Sequence, residues 1–405
     1  MILSVRRPLH LTYGLNVHRG EGWGEVRAAL EGPVLEARRR VAPGRPFGLG
    51  LRLGRRAASE LRRGRALADF AAWLRERDLY VFTINGFPYG RFHGGPVKAR
   101  VYRPDWRARE RRDYTVDLAR LLAAILPEGV AGSISTVPGA LAADLASPAD
   151  DDLMAARLGE AAAALWRLRE ETGRDIHLGL EPEPGCRVET TAGFVAFFEE
   201  HLLRAGARAL ARRTGRSRAA AEQVLRRHVG ICFDTCHLAV RGERLADSLD
   251  RLAAAGARVS KIQLSAALTA GNDARGRAAL RRFAEPVYLH QVSARGAGGA
   301  QGFWLDLPEA LAALERRRDL TRIAAHVHVP LYWRGGGGLG STARALDAAF
   351  WSRVRRGATE HLEIETYTFD VLPPALRRAG LVASIAREFA WARRRAARRV
   401  PKRRA

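Results

Sequence analysis

Short runs dense in apolar and β-branched residues alternate along the chain with longer segments whose apolar residues recur every three or four positions. The first pattern fits a strand covered on both faces and the second an amphipathic helix lying over it, so their alternation predicts a parallel sheet with helical crossovers. The strand-like runs fall at 11–18 (LTYGLNVH), 47–53 (FGLGLRL), 79–85 (LYVFTIN), 132–137, 177–183 (HLGLEPE), 229–234 (VGICFD), 259–265 (VSKIQLS), 322–329 (RIAAHVHV) and 361–367 (HLEIETY). That is one more than an eight-stranded barrel needs, which predicts an added strand inside a connection. Helical period is clearest at 59–77, 114–125, 153–172, 193–212 and 341–354. No compositional break divides the chain, so the expectation is one (β/α)8 TIM barrel over 1–385, with long loops, followed by a basic helix end and tail over 386–405. Two connections, 86–112 and 266–307, are long enough to cover or shape a site.

The polar residues gather where these strands end, and barrels of this class place their active sites at the carboxyl ends of the strands. Glu181 and Glu183 alternate with Leu178 and Leu180, which predicts two carboxylates on one strand face. Two such groups are costly to bury without a cation or an arginine between them. In CFDTCH the carboxylate of Asp234 closes a strand and His237 follows three residues later, so both can converge on one ion. His326 and His328 are expected on one strand face, and Glu363 and Glu365 on another, Glu365 being nearer the strand end and the better ligand. Gln263 shares a face with Lys261 and Ser265 and offers a weak carbonyl ligand or a polar contact. The metal set is therefore Glu181, Asp234, His237, Gln263, His326, His328 and Glu365, for a divalent ion such as zinc, manganese or magnesium. Asn85, Arg91, His93, Glu183 and His290 are assigned to a small-molecule substrate, Arg91 and His93 lying in a stretch rich in aromatics and cations between Asn85 and Trp106. The run GGGGLGS at 335–341 lacks the lysine of a phosphate-binding loop and reads as a flexible loop.

Charge changes this picture little. The formal net charge is +25, yet the positive residues are nearly all arginine and many lie on helix faces, so nucleic acid is an unlikely partner for the body of the chain. The dense cationic run from Arg393 to Arg404 is read as a solvated terminus. Three cysteines without a CxxC spacing suggest neither a disulfide framework nor a thiolate cage, and no long apolar run suggests a signal peptide or a membrane span, so a cytoplasmic location is expected.

Taken together, these motifs resemble the xylose isomerase-like barrel superfamily, which contains sugar isomerases, epimerases and the endonuclease IV type of repair enzyme. The resemblance implies Glu181, Asp234 and Glu365 as metal ligands and His237 as a ligand or substrate contact. Gln263 stands where that family usually has a metal-binding histidine. Across nearly the whole chain, TYGLNVHRGEGW, TINGFPYGRFHG, LEPEPGC, FDTCH, HVHVPL and EIETYTFDVLP are similar to the E member of the Ebo metabolite-traffic group. That likeness implies assistance in exporting a small metabolite beside a prenyltransferase-like membrane protein. The activity implied is isomerisation or epimerisation of a small, polyhydroxylated or phosphorylated metabolite, with Glu181 and Glu365 exchanging the proton. A non-catalytic metabolite escort and a phosphodiesterase of the repair type are the alternatives.

Overall fold

A computed structural model describes residues 1–3 and 8–397. Eight parallel strands form one sheet: β1 (His10–Tyr13), β2 (Phe47–Arg52), β3 (Leu79–Asn85), β4 (Gly132–Thr136), β5 (Ile176–Leu180), β6 (Val229–Asp234), β7 (Arg258–Leu264) and, last in sequence, β13 (His361–Ile364). Their order is β1-β13-β7-β6-β5-β4-β3-β2, and a parallel bridge between Gly14 and Gly50 joins the two ends, which closes a (β/α)8 barrel. The seam explains its glycines: a Cβ at Gly50 would stand 2.2 Å from Glu363 Oε1 and 3.2 Å from the Tyr13 carbonyl oxygen.

The expected ninth strand is real and lies outside the barrel. Between β7 and β13 the chain builds a second, antiparallel sheet from β8 (Leu268–Gly271), β9 (Val292–Gly296), β10 (Gln301–Trp304), β11 (Leu320–Ala325) and β12 (Leu339–Ser341), in the order β10-β9-β11-β8-β12. The segment 266–307 is therefore an inserted layer and not a loop. The run expected as a strand at 322–329 is β11, displaced toward the amino terminus, and it stops at Ala325, before either histidine.

The helices follow the apolar period. In Ala66–Glu76 the buried residues Phe70, Trp73 and Leu74 share one face, and each contributes about 1.5–3 kcal/mol by leaving water. The single helix expected at 59–77 is instead two, Arg55–Leu61 and Ala66–Glu76, because Gly64 turns at a φ of 53° between them. The helix expected at 341–354 starts later: Ser341 ends β12, and the helix Ala348–Arg355 begins at Asp347, whose carboxylate accepts from Phe350 N at 2.8 Å. The glycine run before β12 is a turn in which Gly335, Gly337 and Gly338 take positive φ, and it leads into a strand. The last helix, Leu381–Ala397, runs through residue 385 without interruption, and the end of the cationic tail, 398–405, lies outside the described residues. Among the described residues no helix is long and apolar enough to cross a membrane.

Candidate metal centre

The DxxH spacing has a simple structural cause. Asp234 is both the last residue of β6 and the cap of the helix Thr235–Val240, so its Oδ1 accepts from Cys236 N at 2.7 Å and His237 N at 3.0 Å, and from Ser265 Oγ at 2.8 Å. That atom is fully used, while Oδ2 is buried with no hydrogen-bond partner. Glu181 lies one residue past the end of β5 and Glu365 one past the end of β13. The Oε1 of Glu365 accepts from Asn16 Nδ2 at 2.7 Å and from Asn85 Nδ2 at 3.4 Å; its Oε2, like Oε2 of Glu181, is buried and unpartnered. One oxygen from each acid comes within 4.8 Å of the others.

Such crowding shows in the proton affinities. Burial raises Glu181 to about 8, with His237 pulling it down and Asp234 pushing it up. Glu365 is held well above the ordinary carboxylate range by burial and then by the charges of Glu181 and Asp234. For Asp234 burial also opposes ionisation, but His237, His328 and its hydrogen bonds outweigh it, so it is the acid that stays charged.

Three imidazoles adjoin these acids, and their tautomers follow from their partners. His237 Nδ1 donates to the Pro182 carbonyl at 2.9 Å, His328 Nδ1 to the Glu365 carbonyl at 2.7 Å, and His326 Nδ1 to Gln291 Oε1 at 2.6 Å. The Gln291 amide is oriented by its own Nε2, which donates to Glu183 Oε1 at 3.0 Å and to the Pro184 carbonyl at 3.2 Å. His237 is raised above its ordinary value, burial being outweighed by the charges of Asp234, Glu183 and Glu181, whereas in the neutral rings of His326 and His328 each Nε2 carries a lone pair, and the two face each other across 3.1 Å. Two acceptors at that distance repel unless a cation lies between or beside them. Burial holds His328 down to about 4 and His326 well below its ordinary value, which disfavours a proton in that role. Ligand atoms of Asp234, His237 and His328 also come within 4.8 Å of one another, as do those of Cys236, His326 and His328. Unpartnered oxygens beside bare imidazole nitrogens fit a divalent ion of the borderline kind.

Several assigned residues are placed differently from expectation. Glu181, Glu183, His326 and His328 lie just beyond strand ends, not on strand faces. Gln263 does lie inside β7, but its Oε1 accepts from Cys232 Sγ at 3.0 Å, so its amide nitrogen, and not its oxygen, is left unpartnered. Glu183 is tied to Tyr102 Oη at 2.7 Å and to Gln291. Asn85 lines the cavity, with its Oδ1 accepting from Phe87 N. Three residues assigned to the substrate stand outside the cavity lining, and most of their polar atoms are engaged by the protein, although His93 Nδ1 has no hydrogen-bond partner. Arg91 donates to the carbonyls of His93 and Gly94, His93 Nε2 donates to the Asn16 carbonyl at 2.9 Å, and His290 uses both ring nitrogens, on the His326 carbonyl and on Glu285.

Missed by the sequence are Asn16, Tyr102, Cys236, Tyr288, Gln291 and Tyr367, all at or beside the cavity. Asn16 alone left a signal, as a polar residue in an apolar run; Gln291 and Tyr102 reach the site through contacts far apart in sequence.

No protein-family model matches the sequence, and no curated protein matches it. Among solved structures, the IOLI protein with a bound zinc atom is similar at 13% identity and a TM-score of 0.44, with 95% of this chain and 96% of that chain covered. The probable 3-DHS dehydratase AsbF from Bacillus anthracis is similar at 12% identity and a TM-score of 0.46, covering 95% and 98%. An L-ribulose 3-epimerase is similar at 12% identity and a TM-score of 0.44, covering 96% of each. The barrel assignment rests on the strand order and the closing bridge described above.

Proposed function

We propose that this chain is a divalent-metal-dependent isomerase or epimerase acting on a small metabolite, with Glu181, Asp234 and Glu365 holding the ion and His237 and His328 beside it. One observation carries this reading: each of the three acids has one buried oxygen without a hydrogen-bond partner, and ligand oxygens of all three lie within 4.8 Å of one another. A bound ion would supply Lewis acidity toward adjacent oxygens of the substrate. The proton affinities of Glu181 and Glu365 are both raised, as is that of Glu183 beside them, and Glu181 and Glu365 suit removal of a proton from carbon and its return to the same or a neighbouring carbon. Asn16 and Asn85 orient Glu365 for that exchange through its Oε1.

A second reading, a non-catalytic escort in metabolite traffic working with a membrane partner, draws on Gln263, whose amide oxygen is turned away from the acids. Elemental analysis of purified protein beside Asp234→Ala and Glu365→Gln tests the first. Stoichiometric metal in the wild type, lost by at least about tenfold in Asp234→Ala with unchanged circular dichroism, supports it. A wild type that takes up no metal after reconstitution overturns it and leaves the escort.

A further inference from the structure

The chemistry of the cavity above the acids differs from that of the acids themselves. Its upper wall is apolar and aromatic: Phe87, Phe92, Val97, Val101, Tyr288 and Tyr367 line it. The rings of Phe92, Tyr288 and Tyr367 form a closed trio, with centroids 5.2, 5.3 and 5.6 Å apart, contributed by the 86–112 connection, the insert and the segment after β13. Lys98 is the one lysine or arginine among the lining residues, and it is already paired, its Nζ donating to Asp306 Oδ2 at 2.6 Å and to the Glu285 carbonyl at 3.1 Å.

The arginines near the mouth are held in place largely by backbone carbonyls, although Arg52 Nε and Arg111 Nη2 have no hydrogen-bond partner. Arg52 donates to the Gly20 carbonyl and to Glu21, Arg91 to two carbonyls of its own loop, and Arg111 to the carbonyls of Pro104, Gly86 and Phe87. Beneath this wall stand four carboxyl groups, those of Glu181, Glu183, Asp234 and Glu365. A phosphate dianion placed here would meet buried acids below, rings above and, among the described lining residues, no lysine or arginine other than the paired Lys98, an arrangement that opposes anion binding. Beside the unpartnered carboxylate oxygens, an amide oxygen in the cavity lining is open to a ligand. Asn16 is 2% exposed, its Nδ2 is given to Glu365, and its Oδ1 has no donor.

We propose that the ligand of this site is a small molecule without a phosphate, whose polar head chelates the metal and donates a hydrogen bond to Asn16 Oδ1, and whose planar apolar part packs against Phe92, Tyr288 and Tyr367. The proposal rests on the metal-centre reading above and narrows it to one substrate class. Three hydroxamates share the same chelating head and separate the two ideas. Acetohydroxamate carries no tail, benzohydroxamate a planar apolar one and phosphoglycolohydroxamate an anionic one. Titration calorimetry on metal-loaded full-length protein is expected to give benzohydroxamate a Kd at least about tenfold below either of the others. Tyr288→Ala is expected to erase most of that advantage while leaving the acetohydroxamate Kd within about twofold. Preference for the phosphorylated compound, no gain from the phenyl ring, or a loaded metal with none of the three bound each overturns the proposal in the wild type alone, whatever the variant does. Absence of metal by elemental analysis shows instead that the metal-centre reading has failed, and this proposal falls with it.

Discussion

Both ends of the barrel bury titratable side chains, yet they do so in opposite ways. At the amino ends of the strands His10, His177 and His361 form a layer in which His177 and His361 stack at 5.6 Å and His10 meets His361 edge-on at 5.9 Å. These rings are kept neutral: His10 is pushed down to about 4 by burial and then by the nearby amino terminus, and His177 and His361 fall well below their ordinary value. His361 and His10 find neutral hydroxyl partners in Ser133 and Tyr80 at 2.8 and 3.0 Å. At the carboxyl ends the imidazoles stand among acids, with each Nδ1 fixed by a carbonyl or amide oxygen and each Nε2 turned to a common space. Buried histidine alone thus says little. A candidate site is marked by acceptors that converge, remain unpaired and lie beside carboxylates.

The largest expected contrast is in ligand-linked stability. Adding zinc or manganese at about a thousandfold excess over Kd should stabilise the wild type by about 4 kcal/mol in denaturant titrations. Asp234→Ala should show almost none of this, whereas His361→Asn should keep it. Equal loss in both variants would erase the distinction between the two ends.

Glu388 sharpens the contrast from the mouth side, since it is a buried acid whose oxygen is paired and which belongs to no group of converging ligands among the described residues. Its Oε1 accepts from Leu331 N at 3.0 Å and Thr366 Oγ1 at 2.8 Å, and burial raises it to about 7. The folded state holds this proton more tightly than the unfolded chain does. Stability is therefore greatest below the unfolded value of 4.5 and declines as pH rises from there to about 7, by about 3 kcal/mol in all. Glu388→Gln, which keeps an acceptor, should recover about that amount at pH 8 and little at pH 4, with metal content unchanged. No difference between the two pH values would refute the assignment.

The smallest effect belongs to the barrel base. His10 has a folded value below its unfolded 6.5, so its contribution is present above pH 6.5 and fades as pH falls toward about 4. His10→Gln should remove a little under ~3 kcal/mol of the wild type's acid destabilisation between pH 7 and pH 4, as read by urea unfolding. An unchanged acid limb would show that this ring is not a pH-sensitive part of the base.

Much of the barrel could be read from sequence because its strands are buried on both faces and bounded by amphipathic helices; 79–85 and 229–234 agree with β3 and β6 at both ends. The insert was hidden because its strands are only three to six residues long and interrupted by glycine-rich turns, a pattern that composition assigns to loop. The two-residue spacing of His326 and His328 is common to a strand and to any extended segment, so it shows that the rings can lie on one side without showing where the ladder stops. Asp234 was legible because capping and ligation require the same side chain at the same strand end. Arg91, His93 and His290 are the reverse case: sequence displays their charge or ring but not the carbonyls that hold them outside the cavity lining.

The origin of His326 and His328 has a consequence for how such a protein could change over generations. Both follow β11, on a layer grafted between β7 and β13, and the barrel strands contribute no imidazole to this group. Substitution or shuffling within that graft could alter two of the three imidazoles while the eight strands, their seam, the three acids and His237 after β6 are inherited intact. Innovation in the chemistry and conservation of the scaffold would then fall on separate stretches of the gene.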